Sequence, residues 1–195
     1  MKRAVTLLLP ALLTACALTP AVPPRTVYDL GPGPAAPQAT GPLAWCIADV
    51  TASPSAAGEG IAYRLAFQQA QRLEHYRDSL WAAAPAELLT QRLREQLSAP
   101  ATCAGKPPAL LTVHLDAFEQ VFSSPSQSQA VLRVHATLWP AGPGAAATQQ
   151  HWRLERPAPT PDAAGAVRAL SQSIDDWLPQ LATWAAQAAC APASA

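Results

Sequence analysis

The fold is decided by a stretch of alternating side chains, LLTVHLDAFEQVF at residues 110–122. Apolar residues recur at every second position, which is the period of a strand with one buried and one wet face. The predicted buried face consists of Leu111, Val113, Leu115, Ala117 and Val121. The predicted outer face carries His114, Asp116 and Gln120. The stretch therefore predicts a long strand that lies against a hydrophobic core.

A second strand is predicted at residues 130–139, after a polar loop at 123–128. Its inner face consists of Leu132, Val134, Ala136 and Leu138. The two strands form a hairpin whose register is constrained, because a slip of one residue would turn one strand over. The permitted registers nearest the loop place Asp116 opposite His135 or Arg133. Either register gives a cross-strand charge pair on the outer face.

Several other segments are predicted to be strands. An apolar run at residues 43–50 is typical of a central strand covered on both faces, and Cys46 within it would be a small buried hydrophobe. The remaining strands are predicted at 61–67, 71–76 and 148–156, with a turn at 68–70. A short strand at Tyr28-Asp29-Leu30 is predicted to dock on the domain.

Two helices are predicted to cover one face of the sheet. The first, at residues 85–98, has a buried stripe formed by Leu88, Leu89, Leu93 and Leu97. The side chains off this stripe, which are expected to be wet, are Arg92, Arg94 and Glu95. The second starts at the capping sequence Thr160-Pro161-Asp162, and its stripe consists of Val167, Leu170, Ile174, Leu178, Leu181 and Ala185. Pro179 is expected to kink or break it near Asp175.

These elements predict a two-layer α/β (α+β) sandwich, with a mostly antiparallel sheet of five or six strands and two helices on one face. The predicted domain spans residues 43–190. A signal at 1–15 and a Pro-rich, extended tether at 16–42 precede it. A short frayed tail follows at 191–195.

The N-terminus has the parts of an export signal. Two basic residues precede an apolar run at residues 4–15, which is too short to cross a bilayer as a permanent helix. The run ends in Leu13-Thr14-Ala15-Cys16, which looks like a bacterial lipobox, so Cys16 is expected to carry a diacylglycerol and an N-acyl chain. Ala17 stands where inner-membrane retention usually requires Asp, which favours the periplasmic face of the outer membrane. The alternative is an ordinary secreted protein with a chance cysteine.

Charge and cysteine content restrict the class further. The chain has 13 basic and 13 acidic side chains, and this neutral balance argues against nucleic acid as a partner. Charged residues make up only 13% of the chain, and a surface with so few charges favours a protein that is in contact with partner proteins. An oxidising compartment favours a disulfide, and we expect Cys103 with Cys190, because both follow predicted helices. The sequence does not decide this pairing, which would leave Cys46 free.

The sequence lacks the arrangements that are typical of enzymes. The serines at 123, 124, 126 and 128 have no Gly-x-Ser-x-Gly elbow, and there is no Gly-rich phosphate loop. Asp175 and Asp176 are expected to form a solvated helix face. The histidines are not spaced along the chain as metal ligands usually are; they are His75, His114, His135 and His151. We therefore predict a non-enzymatic protein with no metal and no cofactor beyond the lipid.

Several features together resemble the ABC-type transport auxiliary lipoprotein family. They are the lipobox at Cys16, Tyr28-Asp29-Leu30, Tyr63-Arg64, Tyr76 and Trp81 ahead of the leucine-striped helix, the paired strands and the long C-terminal helix. The resemblance implies an accessory component of intermembrane transport of lipids or other apolar solutes. It implies partnership with a mammalian-cell-entry (MCE) domain protein and with inner-membrane ABC transporter or permease subunits.

The aromatic residues Tyr63, Tyr76 and Trp81 have two interpretations. They are aromatic core at a junction between strand and helix, or they form a partner-docking patch with Arg77 and Asp78, since Tyr, Trp and Arg are enriched in binding hot spots. A homo-oligomer is also compatible with an exposed sheet edge. The competing function is a stand-alone lipid- or solute-binding lipoprotein, which requires an apolar pocket of its own.

Overall fold

A computed structural model describes residues 24–34, 45–97, 109–141 and 146–190. The strands in these ranges are β1 (Thr26–Tyr28), β2 (Trp45–Ile47), β3 (Thr51–Ala52), β4 (Gly60–Leu65), β5 (Glu74–Trp81), β6 (Ala109–Ser124), β7 (Gln127–Trp139) and β8 (Thr148–Pro157). The helices are α1 (Ala66–Gln69), α2 (Pro85–Leu97) and α3 (Ala163–Cys190). A short 3-10 turn at Pro54–Ala56 precedes β4. This mixed architecture confirms the predicted class.

The strands form one open sheet in the order β1-β5-β4-β6-β7-β8. β7 pairs along one edge of β6, while β2, β3 and β4 pair with β6 at successive positions along its length. The long ladders β6 with β7 and β7 with β8 are antiparallel, as is β4 with β5. The short strands β2, β3 and β4 run parallel to β6, and β1 runs parallel to β5. The sheet is thus larger than the predicted five or six strands.

The ladder of β6 and β7 has an extra residue, Asp116, in its middle, besides a second irregularity at Ser123 next to the turn. Leu115 pairs with Val134 and Ala117 pairs with Arg133, so Asp116 has no partner in the ladder. A bulge of this kind changes which side chains point inward beyond it. The buried residues that alternate in the second half of β6 are Phe118, Gln120 and Phe122.

This bulge corrects two predicted positions in β6. Gln120 is completely buried rather than on the outer face, and Val121 is only half-buried rather than part of the core. The predicted position of Asp116 directly opposite His135 or Arg133 is wrong, because Asp116 is the unpaired bulge residue. Its Oδ2 still lies 3.0 Å from Nδ1 of His135 on the outer face. Asp116 reaches it diagonally, because His114 is the residue directly opposite His135.

The core lies between the inner face of the sheet and helices α2 and α3. Its largest fully buried side chains are Trp81, Trp177, Ile61, Leu89, Leu93, Leu111, Leu115, Leu132, Leu138, Leu170, Ile174 and Leu181. Leu89, Leu93 and Leu97 of α2 and the apolar stripe of α3 are buried as predicted, because residues three and four apart lie on one side of a helix. Leu88 of the predicted stripe is only half-buried. Full burial of a Leu or Ile side chain stabilises the fold by about 1.5–3 kcal/mol.

Several strand predictions differ from the structure, and the strand predicted at Tyr28-Asp29-Leu30 is instead β1 at Thr26–Tyr28. Within the apolar run at 43–50, the described residues form only the short strand β2, and β3 follows the run at Thr51–Ala52. Cys46 is exposed rather than buried, since the alternation of β2 places Trp45 in the core. The turn predicted at 68–70 is replaced by the single helical turn α1. As a result β5 begins at Glu74 rather than at residue 71.

A kink or a break was predicted near Pro179; helix α3 continues through this residue, so the break is wrong. Pro179 is exposed, while Leu178 and Leu181 on either side of it are buried and hold both turns on the core. Within the described ranges, none of the helices combines the length and apolarity needed to cross a bilayer. The predicted signal, Cys16, Cys103, the side chain of Cys190 and the tail at 191–195 lie outside what the structure describes.

Candidate functional site

A buried arginine joins both long helices to the N-terminal segment. Arg92 on α2 is only 3% exposed. Its Nη1 donates to Oδ1 of Asp175 on α3 at 2.7 Å, and its Nη2 donates to the carbonyl oxygens of Leu30 and Gly31 at 3.1 and 2.5 Å. The guanidinium can satisfy all three acceptors because its donors are held in a rigid planar fork.

The prediction that Arg92 is exposed to solvent was wrong. The spacing of apolar residues within α2 gives no information about a distant chain segment that covers the helix. The same contact corrects the view of Asp175 as a solvated residue. Burial raises the pKa of the Asp175 carboxyl, and the charge of Arg92 acts in the opposite direction. Asp176 is the more exposed of the two, and it pairs with Arg156 of β8.

The N-terminal segment that Arg92 holds has a backbone conformation that allows it to approach α2 closely. Gly31 has a φ of +66°, a left-handed conformation that favours glycine, and its N–H donates to Oδ1 of Asp29 at 2.8 Å. A Cβ at Gly33 would lie 2.7 Å from Nη1 of Arg92. Gln96 of α2 donates to the Pro34 carbonyl oxygen at 2.8 Å. Residues 26–34, predicted as part of the tether, are therefore fixed on the folded domain.

Tyr63 and Tyr76 form an aromatic pair on neighbouring strands, with ring centroids 4.8 Å apart. The hydroxyl of Tyr63 donates to Glu74 at 2.6 Å, and this hydrogen bond, followed by burial, raises the pKa of Tyr63. The hydroxyl of Tyr76 donates at 2.6 Å to Oε1 of Gln120, and burial raises the pKa of Tyr76 strongly. Nε2 of Gln120 donates in turn to Ser128 at 2.7 Å. These hydroxyls are committed to internal partners.

The other predicted docking residues separate into core and surface. Trp81 is 2% exposed, and its ring centroid lies 5.3 Å from that of Phe118, which favours the core interpretation for this residue. Arg77 and Asp78 form a bidentate ion pair at the surface, with the Arg77 side chain 84% exposed. Their mutual hydrogen bonds raise the pKa of Arg77 and lower the pKa of Asp78.

Three of the four histidines stand in one row across the outer face of the sheet. His114 of β6 pairs with His135 of β7, which pairs with His151 of β8. The residues are far apart along the chain, and only strand register brings them together. His75 of β5 lies outside this row. Spacing along the chain therefore gave no signal for the cluster.

The clefts that we find on the described residues are open surface depressions. One of about 570 Å³ lies between the Val27–Pro32 segment and α3, near Val167 and Asp175. Another of about 530 Å³ lies beside α2 and is lined by charged and polar residues including Asp49 and Arg94. Large buried side chains fill the layer between sheet and helices. This packing gives no support to the alternative of a carrier with its own apolar pocket.

The family model for the ABC-type transport auxiliary lipoprotein component matches residues 28–182, which include the last residue of β1, all of β2 to β8 and most of α3. The chain belongs to this family. The match starts in the segment held by Arg92, so that segment is part of the auxiliary lipoprotein domain. The family description is that of an auxiliary component of ABC-type transport.

Solved structures show the same fold. A crystal structure of a Xanthomonas campestris protein assigned to family model DUF330 is similar at a TM-score of 0.69 and 18% identity, covering 84% of this chain and 96% of that one. A second, of an uncharacterized protein, is similar at a TM-score of 0.61 and 16% identity, covering 83% and 98%. No functionally curated protein matches the auxiliary lipoprotein.

Proposed function

We propose that this auxiliary lipoprotein is anchored through Cys16 to the periplasmic face of the outer membrane and supports an ABC/MCE-type system that moves lipids or other apolar solutes between membranes. It acts by binding partner subunits, namely an MCE-domain protein and the inner-membrane transporter. The match to the transport auxiliary family carries this proposal. The filled core supports it, because a domain without room for cargo contributes through its surface.

The contacts of Arg92 support a mechanical part of this role. Residues 29–34 lie between the proposed anchor and the rest of the domain, and they are held by Arg92 and Gln96 of α2. A domain attached through a long free tether would take many orientations at the membrane. Fixing the end of the tether on α2 reduces that freedom, so the domain presents a more restricted surface to its partners.

The anchor is tested with Cys16→Ser in the native bacterium. The full chain should incorporate an alkyne-labelled fatty acid and sediment with outer-membrane vesicles. The variant should not incorporate the label. It should also fail to restore function in a deletion strain. Cys46→Ser is the matched control, because Cys46 is an exposed thiol outside the lipobox. Equal labelling of wild type and Cys16→Ser would contradict lipidation, and sedimentation with inner-membrane vesicles would contradict the proposed membrane.

We place the partner-docking patch at the surface pair Arg77 and Asp78, which follow Tyr76 along β5. A photo-crosslinking residue at position 77 should capture the MCE-domain protein in cells. The same residue at Gln180, exposed on α3, is the matched control and should not. Capture from position 180 alone would move the patch to α3. Co-purification that recovers transporter subunits but never an MCE protein would reject the partner while leaving the family role intact.

A further inference from the structure

The outer face of the sheet carries an imidazole row with an added carboxylate. The ring centroids of His114 and His135 are 5.0 Å apart, and those of His135 and His151 are 5.1 Å apart. Asp116 is the bulged residue of β6 and lies beside this row, with Oδ2 at 3.0 Å from Nδ1 of His135. Bulges commonly re-aim one side chain next to functional sites.

From this geometry we propose that Asp116, His135 and His151 bind a divalent transition-metal ion of the Zn²⁺ class. One ligand atom from each of the three residues lies within 4.8 Å of the other two. In a tetrahedral site with metal–ligand bonds of about 2.0–2.2 Å, ligand atoms are about 3.4 Å apart. Side-chain rotations that move the ligand atoms by about 1 Å close this difference. Metal–ligand bonds then replace the direct contact between Asp116 and His135.

The donor set favours zinc, nickel or copper over magnesium or calcium. Two imidazole nitrogens and one carboxylate oxygen are typical ligands of first-row transition metals, whereas the harder cations prefer oxygen alone. Three protein ligands leave a fourth position, and His151 is exposed, so that position faces solvent. Water occupies it in the isolated protein, and a partner side chain can replace the water.

His114 has a positioning role in this arrangement. Its Nδ1 lies 2.7 Å from Oγ1 of Thr51 on β3, and its Nε2 lies 3.2 Å from Oγ of Ser53. Both ring nitrogens are therefore occupied, and the ring packs beside that of His135 at an interplanar angle of 35°. This support restricts the orientation of the neighbouring ligand, which lowers the entropy lost on metal binding.

Two nearby arginines influence the expected affinity of the site for the metal ion. Arg133 and Arg153 line the same depression as Asp116 and His151. Arg153 is engaged by Glu155, which offsets its charge, whereas Arg133 is exposed on β7 and repels a cation. We therefore expect a dissociation constant in the micromolar range. Arg133→Gln should bind the metal several-fold more tightly.

The test is calorimetric titration of the full chain in detergent with ZnCl₂ and NiCl₂, after alkylation of its thiols. Wild type should bind one ion per chain. His151→Ala and Asp116→Asn should each weaken binding at least tenfold, while His75→Ala should bind as wild type does. His151 is exposed on β8, the edge strand of the sheet, so its removal should leave the core intact, and a melting curve verifies this. Electron paramagnetic resonance of the Cu²⁺ form should show nitrogen ligands.

Binding weaker than millimolar, or equal binding by wild type and His151→Ala, would overturn the proposal. Loss of affinity in His75→Ala to the same extent would also overturn it, because the metal would then be bound by histidines without a defined site. The Arg133→Gln variant provides an independent check, since a site elsewhere on the protein would not respond to that charge.

Discussion

Nη1 of Arg92 and Oδ1 of Asp175 lie 2.7 Å apart, and this ion pair connects α2 to α3 while the same guanidinium holds the backbone at Leu30 and Gly31. The Arg92 side chain is 3% exposed and that of Asp175 is 27% exposed. The two partners therefore differ in burial: the Arg92 guanidinium is buried, while the Asp175 carboxylate is partly exposed to water. The consequences of losing either partner differ accordingly.

Arg92→Ala should lower the free energy of unfolding by about 3 kcal/mol, because it leaves the Asp175 carboxylate and two backbone carbonyls without their donor. Urea denaturation measures this change. Arg94→Ala is the matched control on the same helix, since Arg94 pairs with Asp49 at the surface, and it should cost at most about 1 kcal/mol. Equal losses in the two variants would show that the buried contacts contribute nothing specific.

Tyr76→Phe should cost about 1–3 kcal/mol, because it leaves Oε1 of the fully buried Gln120 without a donor. Tyr63→Phe is the control and should cost less, since Glu74 is partly exposed and also pairs with Arg72. Thermal melts of the two variants at neutral pH compare these costs. A smaller loss in Tyr76→Phe than in Tyr63→Phe would contradict the role assigned to Gln120.

The pH dependence of Tyr76 gives a separate check. Burial raises the pKa of Tyr76 in the folded chain above its unfolded value of 10.0. The unfolded chain therefore ionises first, and the stabilisation by Tyr76 is lost as the pH rises above 10.0. The difference in stability between wild type and Tyr76→Phe should shrink in that range. A difference that grows with rising pH would contradict the raised pKa.

The sequence predicted the parts of the fold that depend on local periodicity. The leucine stripe of α2 and the inner face of β7 follow from spacing alone. The bulge at Asp116 was not predictable, because a bulge is defined by the pairing with the partner strand. The residues of β6 alone do not show which of them lacks a partner. The inverted positions of Gln120 and Val121 both result from it.

The candidate sites were predicted less completely, because they depend on contacts between distant segments. Arg92 looked wet, since nothing in α2 indicates that residues 30–31 cross it. The histidine row arises from the register of β6, β7 and β8, which chain spacing does not encode. Of the candidate docking residues, Arg77 and Asp78 lie at the surface, whereas Trp81 packs in the core.

Gly165→Ala should destabilise the protein, although alanine is the better helix former by about 1 kcal/mol. A Cβ at this position would lie 2.0 Å from the carbonyl oxygen of Thr160 and 2.6 Å from its Oγ1. Backbone must move to relieve this overlap, at a cost of about 1–3 kcal/mol that exceeds the gain in helix propensity.

Gly58→Ala is the control for this substitution, because a Cβ there meets nothing closer than 4.0 Å. Its free energy of unfolding should stay within about 0.5 kcal/mol of wild type. Chemical denaturation of both variants decides the sign. A stabilised Gly165→Ala protein would show that the approach of Thr160 to α3 is looser than described.

Asp162 should stabilise the start of α3 in a pH-dependent manner. Its Oδ1 accepts hydrogen bonds from the N–H of Gly165 and the hydroxyl of Thr160, both at 2.7 Å, and the N–H bond is the larger cause of the lowered pKa of this carboxyl. Asp162→Ala should cost about 1 kcal/mol at neutral pH, as loss of a helix N-cap usually does.

The sign of the pH effect follows from the lowered pKa. The stabilisation by the Asp162 carboxylate is fully present above the unfolded pKa of 3.8 and is lost as the pH falls through the lower folded value. The stability difference between wild type and Asp162→Ala should therefore shrink in acid, whereas that between Asp162→Asn and Asp162→Ala should stay constant, because an amide caps without titrating. Urea denaturation at neutral pH and well below pH 3.8 measures both differences. A wild-type advantage that persists unchanged in acid would mean that the charge of Asp162 does not contribute to the cap.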